Sequence, residues 1–311
     1  HPYAGLSPDY PDWVLHVEKS STNMHQGSGI WARETNTGGD REILVVDASE
    51  GIKQVLLHST MHGVLTNDNP VNISIGHITS LSGNDSWIIS NWSQGVINES
   101  VVIGSTLDLD VDDVRGYGWS RATHLINQSV SQDTVGVVSS SSYLHTFNTS
   151  NLTRLEIEID SNGARDDLDL YVFYDSNSDG AIGWSNEEEG RSGNWNSAEK
   201  IVIDNPANGK WWIVVHGYDV PTTNTSFWLK INKVGGTEVN ITAWTPLNNS
   251  QIQLLYPNGS SRLGGHIPAK AWLINFTGEM PKDTGEWQGL IEMDLNVGGT
   301  LRVPLNYNLL E

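Results

Sequence analysis

The chain has no cysteine in 311 residues. Thiol catalysis, disulfide cross-links and thiolate metal sites are excluded, and stability must come from packing. A chain of this length can supply that with two or three hydrophobic cores. There is no apolar run of about 18 residues, the length that spans a bilayer as a helix. Positive charge is scarce: 17 Lys and Arg stand against 37 Asp and Glu, a formal net charge of −20 at pH 7. With nothing basic to neutralise phosphates, nucleic acid is not an expected partner. Gly-x-Ser-x-Gly, His-Glu-x-x-His, P-loop and Gly-x-Gly-x-x-Gly patterns are also missing, and no Ser, His and Asp are spaced as a recognisable triad. We therefore expect a protein that is not an enzyme. No signal peptide is visible before His1, so the expectation is a mature N-terminus left by cleavage, hence a secreted, extracellular protein.

What the chain does contain is alternation. Residues 13–17, 42–47, 54–57, 71–78, 87–89 and 101–114 read as strands separated by turn residues, without an amphipathic helical period of convincing length between them. The pattern predicts an all-β protein of two or three tandem β-sandwich or jelly-roll-like domains. These are residues 1–140 with a proline-rich arm at 1–12, residues 141–233, and residues 234–311, with Ser139 to Ser142 marking the first boundary. Near the C-terminus, residues 290–297, Gly298-Gly299 and 300–305 predict a hairpin with a two-residue primed turn. Pro304, lacking a ladder donor, suggests an edge strand or a bulge there.

The stretch 166–218 organises the rest. In Asp167-Leu168-Asp169-Leu170-Tyr171-Val172-Phe173-Tyr174 the even residues share one strand face, leaving Asp167 and Asp169 on the other. Directly after it, Asp175-Ser176-Asn177-Ser178-Asp179-Gly180-Ala181-Ile182 matches the first two-thirds of a calcium loop. Asp175, Asn177 and Asp179 fall at positions 1, 3 and 5, glycine at 6, and Ala181 at 7, where a backbone carbonyl ligates. Position 12 is Asn186, so the acid wanted there, Glu187, is one residue out of register. The same residues also make an Asx-rich turn. Asp160 and Asn162 are further oxygen donors just upstream, and the expected cofactor is structural Ca2+.

A second acidic run alternates Leu107, Leu109 and Val111 with Asp108, Asp110 and Asp112. Like charges about 7 Å apart on one strand repel unless a cation or a Lys or Arg lies between them, so the run is either a solvated acidic face or a second metal site. His58 with His62, and His1 as an N-terminal copper chelate, complete the metal candidates.

Three motifs point to a family. Asp-Leu-Asp-Leu-Tyr-Val at 167–172, Asp-Asn-Pro-Ala-Asn-Gly-Lys-Trp at 204–211 and Val-Val-His-Gly-Tyr-Asp-Val-Pro at 214–221 resemble the pre-peptidase C-terminal domain. That domain is a small β-sandwich attached to secreted proteases, notably subtilisin-like ones, and the resemblance covers roughly residues 141–233. It implies an extracellular location and no catalytic residues within that segment. Residues 234–311 are similar to the β-sandwich modules that follow the catalytic domain in large secreted subtilases.

Asn-x-Ser/Thr acceptors stand at Asn72, Asn84, Asn91, Asn98, Asn127, Asn148, Asn151, Asn224, Asn240, Asn248, Asn258 and Asn275, where composition alone gives about five. N-linked glycans are therefore expected. The expected function is a calcium-stabilised structural subunit of an extracellular filament, sheath or surface layer. It would assemble with copies of itself by strand exchange through residues 1–17 or 300–310. The alternatives are the processed, non-catalytic C-terminal region of a secreted subtilisin-like protease, and a carbohydrate-binding module using some of the thirteen Trp residues.

Overall fold

The computed structural model describes residues 12–20, 30–35, 54–62, 78–81, 86–89, 95–161, 165–236, 239–263, 265–279, 283–296 and 300–310. The all-β expectation holds. The proline-rich arm at 1–11, the segment 42–47, most of 71–78 and the Gly298-Gly299 turn lie outside the described residues. Strands β1 (Asp12–Ser20), β2 (Ile30–Thr35) and β3 (Gln54–His62) form a small antiparallel sheet in the order β2-β1-β3.

Eight consecutive strands build a first sandwich: β8 (Thr123–Ser131), β9 (Tyr143–Thr149), β10 (Leu152–Ser161), β11 (Asp167–Tyr174), β12 (Glu188–Ser192), β13 (Glu199–Asp204), β14 (Gly209–Asp219) and β15 (Asn224–Gly235). They form two four-stranded sheets, ordered β13-β10-β15-β8 and β12-β11-β14-β9. Alternation places Leu155, Ile157 and Ile159 of β10, Leu168, Leu170 and Val172 of β11, and Trp211, Ile213 and Val215 of β14 in one core. Each such side chain contributes roughly 1.5–3 kcal/mol on burial, so a core of this size can do without disulfides.

A second sandwich flanks the first in sequence. It combines β4 (Ile78–Ser80), β5 (Ser86–Ile89), β6 (Val96–Ser105) and β7 (Val111–Arg121) with β16 (Val239–Pro246), β17 (Lys270–Glu279), β18 (Gly285–Leu295) and β19 (Thr300–Leu309). The sheet orders are β16-β17-β6-β4 and β5-β19-β18-β7. The strand expected over 101–114 is broken, because β6 ends at Ser105 and β7 begins at Val111. More consequential is the pairing of β6 with β17 and of β7 with β18. The segments expected as separate first and last domains therefore share sheets, and the first sandwich sits between them. Its connections are short: Ala122 alone joins β7 to β8, and residues 236–238 join β15 to β16.

The expected C-terminal hairpin is β18 paired with β19, where Pro304 lies beyond the stretch that β5 pairs, Asn306 to Leu309. Both strands considered for donation to a second copy are already flanked on both sides, β1 by β2 and β3, and β19 by β18 and β5. A seven-residue helix, α1 (Asn249–Leu255), was not anticipated. Asn248 accepts from the Gln251 amide at 3.0 Å while the Gln251 side chain accepts from the Asn248 amide at 2.9 Å, a reciprocal cap on a helix too short to show a period.

Where the sandwiches meet, charges alternate. Arg154 is fully buried; its Nε donates to Glu156 Oε1 at 2.8 Å and its Nη1 to Asp204 Oδ1 at 3.3 Å. From the other sandwich, Arg302 Nη1 donates to Asp204 Oδ2 at 3.3 Å and its Nε to Glu292 Oε1 at 2.7 Å. Lys200 extends the chain of pairs at one end, 3.0 Å from Glu156 Oε2, and Arg115 at the other, 3.4 Å from Glu292 Oε2. Burial pushes the Glu156 carboxyl up, but Lys200 and Arg154 outweigh it and hold the group below its ordinary range. Asp204→Ala leaves two guanidinium groups one partner short. We expect it to cost about 1.5–3 kcal/mol in a denaturant titration, whereas removing Lys270, half-buried beside the exposed Asp108 and Asp110, costs below about 1 kcal/mol.

Candidate cation-binding face of the first sandwich

On β11 the odd residues Asp167, Asp169, Tyr171 and Phe173 share the outer face of their sheet. Tyr171 and Phe173 are buried there with Trp212 and Val214, packed against Ile182 and Val138. The sheet is thus covered on both sides, which is why both parities of β11 are apolar after Asp169. At the uncovered end Asp167 lies opposite Asp219, and Asp169 opposite His216. Glu199 joins them from the facing sheet. It occupies the parity of Ile201 at the start of β13, a charged residue at a core position, and it is buried.

Glu199 is held by its hydroxyl neighbour Ser192 and by Asn194, whose backbone amide donates to Oε1 at 2.5 Å and whose Nδ2 donates to Oε2 at 2.9 Å. Gly193 permits the approach of β11: a Cβ at that position would stand 2.6 Å from Asp169 Oδ1. Burial, then the charge of Asp167, pushes the Asp169 carboxyl up to about 6. Burial pushes Glu199 up to about 7, with Asp169 and Asp167 adding to it against the hydrogen bonds from Ser192 and Asn194. Asp167 is raised as well, by burial and by Asp219, and its Oδ1 is buried without a hydrogen-bond partner. Arg191, whose charge reaches Asp169, is engaged with Glu188 at 3.0 Å.

The 175–187 loop is closed mainly by its own hydrogen bonds. Asp175 Oδ2 accepts from the Gly180 amide at 3.0 Å, Asn177 Oδ1 from Asp179 at 2.8 Å, and Asp179 Oδ1 from Ala181 at 2.8 Å. Gly180 takes the positive φ of +79° that the turn demands. Glu187, read from sequence as a displaced ligand, instead caps the loop, accepting from Ser176 at 3.1 Å and Gly183 at 2.7 Å. One polar atom is left over: Asp175 is 7% exposed, and its Oδ1 has no hydrogen-bond partner.

The remaining candidates fare differently. Asp108 and Asp110 flank Lys270 Nζ at 3.3 and 2.9 Å, so a lysine supplies the cation between them, and Asp112 is exposed. His58 and His62 stand four apart on strand β3, about 13 Å along it, too far to share one ion. Asp160 is in register with Trp228 and is not among the charges that raise Asp169 or Glu199. Asn162 and His1 lie outside the described residues, as do Asn72, Asn84 and Asn91. Of the nine described acceptor asparagines, Asn275 is half-buried and the other eight are exposed. Among the described residues, no three His, Cys, Asp or Glu side chains form a closed metal-holding group, so the carboxylates at 167, 169 and 199 are neighbours and not a cage.

A serine, a histidine and an aspartate do meet in this sandwich. The Ser141 hydroxyl donates to the Val138 carbonyl at 2.6 Å, so it accepts from Nδ1 of buried His216 at 2.9 Å. Asp133 Oδ2 stands 3.6 Å from the same nitrogen, and Nε2 is buried without a hydrogen-bond partner. A hydrolytic triad places serine and aspartate on opposite nitrogens. This trio ties the chain before β9 to β14 and is not arranged as a triad.

Residues 141–217 match the bacterial pre-peptidase C-terminal domain. That domain is non-catalytic, and the matched segment contains Asp167, Asp169, Glu199 and the whole 175–187 loop. No curated protein matches the chain. Among solved structures, the lipase BlEst2 of Bacillus licheniformis in propeptide form is 8% identical, with 60% of this chain covering 40% of that one at a TM-score of 0.24. Tripeptidyl peptidase 2 is 9% identical, with 100% covering 26% at 0.29. The glycosylation-associated Gap123 complex of Streptococcus agalactiae is 15% identical, with 50% covering 44% at 0.19. The chain thus spans less than half the length of each.

The raised carboxyls give a signed pH dependence. Asp169 and Glu199 keep their protons to higher pH in the folded chain than in the unfolded one. Their contribution to stability is full below the ordinary carboxyl range and is lost as pH rises through about 6 and 7. His216, held low by burial, acts oppositely, its contribution being lost as pH falls below about 6.5. With five raised carboxyls (Asp167, Asp169, Glu188, Glu189 and Glu199) against two lowered imidazoles (His145 and His216) among the described residues, the melting temperature in EDTA is expected to fall between about pH 5 and pH 7.5, and Glu199→Gln to remove most of that fall. A melting temperature rising across this window would contradict the assignment.

Proposed function

We propose that the chain is a non-catalytic, extracellular β-sandwich protein whose first sandwich is completed by a bound divalent cation, calcium by the chemistry of its donors. The observation that carries this reading is the company kept by Asp167, Asp169 and Glu199. At the junction of the sandwiches each buried carboxylate faces an arginine or lysine, whereas here Asp219 raises Asp167, Asp167 raises Asp169, both raise Glu199, and the opposing cation, Arg191, is also engaged with Glu188. A hard cation accepts six to eight oxygens and suits the partnerless Asp167 Oδ1. Asp167, Asp169 and Glu199 would hold it, and Asp175, Asn177 and Asp179 would hold a second through the free Asp175 Oδ1. The ion supplies the positive charge that this end of the sandwich lacks.

The match to a domain carried by secreted proteases favours a second statement of the same role, an accessory region of a secreted peptidase. A catalytic domain encoded upstream of His1 would distinguish it from a free-standing structural protein. The exposure of eight acceptor asparagines supports N-linked glycans on the outer surface. A filament of copies of the chain would have to use outer strands such as β9 or β13.

Calcium at about 100 times its dissociation constant would stabilise the fold by about 2.7 kcal/mol, a rise in melting temperature of roughly 5–10 °C over EDTA. Asp169→Asn is expected to abolish that increment while raising the melting temperature in EDTA. Equal melting temperatures of the unaltered chain in calcium and in EDTA would refute the proposal.

A further inference from the structure

A cleft of about 260 Å3 opens where the two sandwiches meet. Its side chains come from three strands: Lys230 and Asn232 of β15, Glu286 and Gln288 of β18, and Asn306 and Asn308 of β19. Gln288 is the cross-strand partner of Asn306, and Glu286 of Asn308, so four of these residues form two adjacent rungs on one face. Trp287 and Tyr307 line the cleft too; Tyr307 belongs to the core of the second sandwich and Trp287 packs against it.

The lining is polar but electrically neutral. Lys230 Nζ stands 2.5 Å from Glu286 Oε2, so the one cation and the one anion cancel. Four carboxamides are left, in a chain whose net charge is −20. Gln288 is 4% exposed; its Nε2 donates to Asn306 Oδ1 at 3.1 Å, while its Oε1 is buried without a hydrogen-bond partner. A buried acceptor of this kind calls for a donor in the space it lines. Water could serve one acceptor, yet the cleft is several times the roughly 30 Å3 share of a water molecule. It is also smaller than the roughly 300–1,000 Å3 of sites for drug-sized ligands.

We propose that this cleft binds an uncharged polyhydroxylated molecule about the size of one sugar ring. Each carboxamide offers both donors and an acceptor, and each hydroxyl does the same, so convergent amides can bridge neighbouring hydroxyls in either sense. A ligand without those hydroxyls would leave Gln288 Oε1 buried and unpaired, which gives the site its selectivity. The cleft lies between the sandwiches and does not depend on the cation reading.

The test is calorimetric titration of the full chain in calcium buffer with glucose, galactose, mannose, N-acetylglucosamine and myo-inositol, each alone. At least one should bind saturably, with a dissociation constant on the order of 1 mM. Asn308→Ala, at a partly exposed position, should weaken that binding by roughly tenfold, the worth of about one hydrogen bond. Gln288→Leu should abolish binding while leaving the sugar-free melting temperature unchanged or higher, because it removes an unsatisfied buried acceptor. Failure of all five compounds to bind, or binding that either variant leaves unchanged, overturns the proposal.

Discussion

Asp204 gives one carboxylate oxygen to Arg154 of its own sandwich and the other to Arg302 of the second. The junction leans on this bridge together with Glu286 of the second sandwich, which meets Lys230 and His124 of the first beside the two short connections. Desolvating an ion costs several kcal/mol unless an opposite charge and hydrogen bonds compensate. Along the junction they do: Lys200, Glu156, Arg154, Asp204, Arg302, Glu292 and Arg115 follow one another with alternating sign. Removing one member strands its neighbours, so the two sandwiches are held in one arrangement by polar contacts that tolerate little displacement.

The same constraint, applied to the far end of β11, is what the proposed cation would answer. Asp167, Asp169 and Glu199 are desolvated too, but burial and neighbouring carboxylates raise them, and Arg191 does not outweigh this at Asp169. Asp108 and Asp110 show the third outcome, in which Lys270 supplies the missing charge at an exposed site where the pair contributes little. Acidic clusters that look alike along the chain thus separate into three kinds according to what faces them.

Much of the fold was legible in the sequence because period-two alternation is a local signal. The strands, the core parity of Leu168, Leu170 and Val172, and the domain family of 141–217 all follow from neighbouring residues. What stayed hidden is long-range. The pairing of β6 with β17 leaves no local mark, so the sandwich that encloses the other could not be seen. Nothing in the local sequence of β10 or β18 announces that Arg154 and Glu292 are buried. Glu199 carries a readable sign, a carboxylate in step with the core residue Ile201. Spacing does not distinguish a metal-binding acid from one that caps backbone amides, as Glu187 does in the 175–187 loop.

The proposed role is that of two joined β-sandwiches, the first of which contains the segment matching the pre-peptidase C-terminal domain. The claim on which this rests is that calcium lies among the carboxylates of β11 and β13. An anomalous difference map from crystals grown in calcium tests it most directly. The account predicts a peak about 2.3–2.6 Å from Asp167 Oδ1 with Asp169 and Glu199 turned toward it. A map with no peak there, and Asp169 and Glu199 hydrogen-bonded as neutral acids, would contradict it.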